Sequence, residues 1–171
     1  GAIAIVVGVS LAEKRSLSSI GWQRITVKWI IIAIAIGIVL SLLVPVFTLL
    51  VAEIMPSTDD GSIAQVTETA PAWLILISVL TAAITEEILY RGYLLERILS
   101  LTEHEWLSGI ISVFFFVLIH TAGWNWQHVF GVVLPLGIML TLLYLWRRNL
   151  IFVMLVHFMI NLPLVFLATS N

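Results

Sequence analysis

Residues 27 to 54 read VKWIIIAIAIGIVLSLLVPVFTLLVAEI, with one lysine near the start and one glutamate near the end. A helix needs about 20 apolar residues to cross the hydrocarbon core of a bilayer, and this run exceeds that. Inside lipid a segment must satisfy its own backbone hydrogen bonds, which a helix does and an open strand does not. Four further apolar segments follow, roughly Ala72 to Leu101, Trp106 to His120, Val129 to Trp146 and Leu150 to Thr169. The expected fold is therefore all-α, a polytopic transmembrane helix bundle with about five full spans. At the front, GAIAIVVGVSLA (residues 1–12) is too short to span and is read as the truncated remnant of an upstream helix. The whole chain, 1–171, is read as a single membrane domain.

Composition excludes several classes of function. Hydrophobic residues make up 61% of the chain and charged residues 11%, far from the balance of a soluble domain. A net charge of −2 offers no basic face, so nucleic acid is not an expected partner. The lipid bilayer is. With no cysteine, thiolate metal sites, disulfides and a cysteine nucleophile are all ruled out. Oligomeric state cannot be read from such a sequence.

The connectors carry an alternating charge pattern. Lys14, Arg15, Arg24 and Lys28 lie in or beside the first, Arg97 flanks the third, and Arg147 and Arg148 form the fifth. The second holds Asp59, Asp60 and Glu68 without a basic residue, and the fourth has none either. By the positive-inside rule the first, third and fifth connectors are expected to be cytoplasmic, in a multi-pass protein of the cell membrane. All seven tryptophans, at 22, 29, 73, 106, 124, 126 and 146, fall near segment ends, where an indole suits the headgroup layer.

Against this background the polar residues inside the spans require explanation, because an ionisable group facing lipid is costly. The stretch AITEEILYRGYLL (83–95) carries Glu86, Glu87 and Arg91; His120 ends the third apolar segment; His157 and Asn161 lie on the last. Glu87 and Arg91 are one helical turn apart and are expected to pair. Glu86 is rotated about 100° from Glu87, which leaves it unpaired and aimed into the bundle. His157 and Asn161 also share a face. Counting about 1.5 Å per residue from the expected cytoplasmic ends at Arg97, Trp106 and Arg148, Glu86, His120, His157 and Asn161 lie at depths of roughly 16, 21, 13 and 19 Å, one band within the bilayer. His104 and His128, in or beside connectors, are read as interfacial.

A carboxylate and an imidazole around one water form a general base for attack on a carbonyl, and a second imidazole with a carboxamide can donate to the oxyanion. Peptide hydrolysis fits that set. A zinc site made of Glu86, His120 and His157 with an open water position is the rival chemistry. No His-Glu-x-x-His string or Gly-x-Ser-x-Gly elbow is present, and Ser112 is a poor candidate nucleophile.

In order, EEILYR, FVLIH and HFMIN resemble the Glu-Glu-x-x-x-Arg, Phe-x-x-x-His and His-x-x-x-Asn motifs of the CPBP intramembrane peptidases, which include the type II CAAX prenyl proteases and bacterial abortive-infection-like proteins. The resemblance covers roughly Ser16 to Leu167. It implies that Glu86 and His120 activate water, and that His157 and Asn161 shape the site or bind the oxyanion. Glu87 and Arg91 then orient it, and Phe116 lines it. It further implies a glutamate-type protease without a metal cofactor, acting on a peptide or lipidated protein that arrives from the membrane or the cytoplasmic side, of CAAX, bacteriocin or pheromone type. Two other functions compete. In one, a non-catalytic scaffold or bacteriocin self-immunity protein uses the polar cluster only to hold helices together. In the other, a small ion or proton carrier uses it as a path.

Overall fold

The computed structural model describes residues 2–55 and 70–169; the acidic connector with Asp59, Asp60 and Glu68 lies outside the described residues. Among the described residues every long element is helical and there is no strand. In chain order they are α1 (Ala2–Ala12), α2 (Val27–Ile54), α3 (Ala72–Thr102), α4 (Glu105–His120), α5 (Trp126–Arg147), α6 (Leu150–Asn161) and α7 (Pro163–Thr169). All five expected apolar segments are helices. Four stretches are long and apolar enough to cross a membrane: α2, α3, α5, and Leu150–Ala168, which joins α6 to α7. Helix α4 has 16 residues, so it reaches about 24 Å, less than the hydrocarbon thickness.

Helices α2 and α3 bury a narrow stripe and expose most of the rest, whereas α6 buries seven of its twelve residues. On α2 only Ala33, Gly37 and Leu40 are buried, three and four residues apart. These small residues let α6 approach closely: a Cβ at Gly37 would lie 2.4 Å from Cβ of Met159. Small residues at a contact favour helix association in lipid, where there is no water to expel. The buried stripe of α3 recurs every fourth residue, Ile75, Val79, Ala83 and Glu87, and continues into Ile88, Arg91 and Leu95. On α4 it is Ser108, Ser112 and Phe116. The periodicity that turns these helices inward thus carries Glu87, Arg91 and Phe116 into the bundle.

The end where α2 begins and α5 stops is locked by polar contacts. Arg97 binds Glu13 at 2.6 Å, with the Tyr93 hydroxyl donating to the same carboxylate at 3.1 Å. Tyr144 donates to Glu96 at 2.7 Å, and Arg148 bridges Glu96 and Glu105. Asn149 caps α6 by accepting from the Phe152 amide at 3.0 Å.

Candidate active site

Glu87 and Arg91 pair as their spacing predicts, at 2.7 Å, with both side chains fully buried. Buried charges need further partners to offset desolvation. Arg91 has them on α5: Nη2 donates to the Gly137 carbonyl at 3.0 Å and Nε to Thr141 Oγ1 at 3.3 Å. Its guanidinium also lies over the Phe116 ring, 4.5 Å from the centroid. Residues 88–95 form a π-helical segment, the wider turn often found at functional sites. Within it the Tyr90 carbonyl accepts from Ser112 Oγ at 2.9 Å, so the Ser112 hydroxyl is engaged in a structural bond.

His157 comes from α6 and places Nδ1 2.8 Å from Glu87 Oε1. A carboxylate already facing Arg91 can only accept, so Nδ1 carries the hydrogen and Nε2 points away. It points to Glu86, whose Oε2 is 3.9 Å distant. His120 repeats the arrangement from α4. Its Nδ1 is 2.6 Å from the Phe116 carbonyl, which can only accept, and its Nε2 stands 3.9 Å from Glu86 Oε1. Glu86 therefore faces two imidazole lone pairs, one on each carboxylate oxygen, at separations too long for a direct hydrogen bond.

The structure brings Glu86, His120 and His157 together, with Glu87, Arg91 and Phe116 behind them. Asn161, half-buried at the end of α6, makes no side-chain hydrogen bond among the described residues, and His157 has Glu87 as its partner. As a test of fit to zinc, each histidine approaches a different oxygen of Glu86. Among the described residues no group of three or more His, Asp or Glu side chains is arranged to hold a metal ion.

Glu86 and His120 lie on the wall of a cleft of about 690 Å³. Its other lining is mainly apolar and includes Ile5 of α1, Leu89 and Tyr90 of α3, and Ile119 and Trp124. Glu86 is partly accessible, 26% exposed, while Glu87 beside it is fully buried. Two adjacent carboxylates thus have opposite surroundings. Trp124 also lines this cleft and stacks on His128 with ring centroids 4.4 Å apart. Sequence reasoning did not anticipate Tyr90, Gly137 and Thr141, because their partners are 22 to 50 residues away in the chain.

The bundle thus holds a carboxylate between two imidazoles beside an apolar cleft. A family model, type II CAAX prenyl endopeptidase Rce1-like, matches residues 68–163, more than half of the 171-residue chain. The chain belongs to that family, which places it among the membrane proteases. The match spans Glu86, Glu87, Arg91, Phe116, His120, His157 and Asn161. It leaves α1 and α2 outside. No curated protein and no solved structure matches the chain.

Proposed function

We propose that this protein is a glutamate-type intramembrane endopeptidase in which Glu86 and His120 activate water without a metal. One observation carries the reading: Glu86 faces Nε2 of both His120 and His157 at 3.9 Å, with each imidazole held by its Nδ1. A water in that gap finds only acceptors, so its two hydrogens are drawn to them and its oxygen lone pair is turned toward a carbonyl in the cleft. As the water oxygen bonds to the carbonyl carbon, Glu86 takes a proton. The carbonyl oxygen becomes an oxyanion. Asn161, one turn further along the same helix face as His157, is assigned as its donor, while His157, its Nδ1–H held by Glu87, keeps Nε2 as an acceptor that orients the water. Collapse breaks the carbon–nitrogen bond, and the proton passes from Glu86 to the leaving amine.

The apolar lining of the cleft supports a substrate with a lipid-compatible segment, a prenylated CAAX-type peptide being the class suggested by the family. The basic end, with Lys14, Arg15, Arg147 and Arg148, is assigned to the cytoplasmic side of the cell membrane.

The test is cleavage of a fluorogenic prenylated CAAX peptide by the full chain in liposomes, beside its unprenylated form. Glu86→Gln and His120→Gln are each expected to lower kcat by about 10²-fold or more. Parent-like turnover in either variant would overturn the mechanism.

A further inference from the structure

Three of the arginines face carboxylates: Arg91 with Glu87, Arg97 with Glu13, and Arg148 with Glu96 and Glu105. Arg147, next to Arg148, has no carboxylate among the described residues, and its Nε is covered by protein with no hydrogen-bond partner. Its guanidinium lies 3.5 Å from the centroid of the Trp29 ring and 5.6 Å from that of Trp146. Lys28 Nζ stands 5.8 Å from the same Trp29 ring and also lacks an ion pair among the described residues. Two cations without an ion pair among the described residues are therefore placed beside one indole.

The chain is folded to hold them there. The Leu150 amide donates to the Gly21 carbonyl at 2.7 Å, and the Asn149 carboxamide donates to the Gln23 and Arg24 carbonyls at 3.4 and 3.2 Å. This straps the segment before α2 to the turn after α5, so that Arg24, Lys28 and Arg147 arrive at one end of the bundle. Trp29, Trp146 and Phe152 pack edge to face at centroid distances of 5.7 to 6.2 Å and form a rigid floor. The first turn of α2 adds the positive end of its dipole.

We propose that Arg147 and Lys28, seated on Trp29, bind the phosphate of an anionic phospholipid headgroup. A lipid fits better than a soluble phosphate because an apolar track leads away from the cations. Val27 and Ile31, on one face of α2, are 71% and 61% exposed, and Trp146 is 59% exposed. Acyl chains lie along such a face while the headgroup remains at the indole level.

The experiment measures thermal unfolding and native mass spectra of the purified full chain in neutral detergent. Titrants are phosphatidylglycerol, phosphatidylcholine of the same acyl chains, and inorganic phosphate. Phosphatidylglycerol is expected to raise Tm and form a discrete adduct; the other two are not. Arg147→Gln and, as an independent exposed-cation variant, Lys28→Gln are each expected to weaken that adduct about fivefold. Equal binding of phosphatidylcholine, or unchanged binding in both variants, would overturn the site. Stabilisation by inorganic phosphate equal to that by phosphatidylglycerol would overturn the lipid assignment.

Discussion

His157 Nδ1 and Glu87 Oε1 meet at 2.8 Å in the centre of the bundle, joining helices whose contact residues are 70 positions apart. The same carboxylate oxygen receives Arg91 at 2.7 Å, so one buried atom serves both a cation and an imidazole. Glu87 is thereby the point at which helix packing and the orientation of His157 become one problem. Removing either charge leaves the other buried without its counterpart.

For that reason Arg91→Met is expected to destabilise the protein by about 3–5 kcal/mol, and Glu87→Gln by a similar amount. The double variant Glu87→Gln with Arg91→Met should be less destabilised than the sum of the two, because no buried charge remains. Unfolding in mixed detergent micelles gives the three values. Additive losses would show that the pair is not coupled.

Gly137 provides a packing test of the site. A Cβ there would lie 3.0 Å from Cδ1 of Phe116, the ring that covers Arg91 and whose backbone carbonyl holds His120. Gly137→Ala is expected to cost about 1–3 kcal/mol and to reduce peptide turnover by displacing His120. Gly8→Ala, where nothing lies within 4 Å, serves as the control and should change neither.

Glu13 gives a pH prediction outside the spans. The hydrogen bond from Arg97 holds its carboxyl below the usual carboxylate range, aided by Tyr93 and opposed by partial burial. A lowered folded-state value means the tether contributes fully above the ordinary carboxylate pKa and is lost as pH falls through the lowered one. Protection of the amides in residues 8–20, measured relative to the intrinsic exchange rate at each pH, should therefore fall on acidification from about pH 7 to about pH 3. Glu13→Gln should remove most of that dependence, and an unchanged profile in the variant would refute it.

If water is activated without a metal, a chelator at millimolar concentration should leave peptide cleavage unchanged, and added zinc should not raise it. Loss of activity on chelation with recovery on adding zinc would instead favour the two-histidine, one-carboxylate alternative.

Much of the architecture was legible in the chain. Apolar runs of that length have few structural options in lipid, and the Glu87–Arg91 pairing follows from helical spacing alone. The common depth of Glu86, His120 and His157 could likewise be counted from the expected cytoplasmic helix ends. What could not be counted was rotation and lateral packing. Sequence spacing put His157 and Asn161 on one face, and only the helix crossings show that His157 meets Glu87.

By itself the sequence determined an all-helical membrane protein with a few ionisable residues at one depth, because bilayer thickness and helix periodicity are local constraints that act on each segment separately. Only the tertiary structure decided which of those residues touch. Small residues such as Gly37 set how closely helices approach, and the approach fixes which side chains share a space. The difference between Glu86 and Glu87, adjacent and chemically identical, arises there: one meets Arg91 and His157 in the interior, and the other opens to a cleft between two imidazoles.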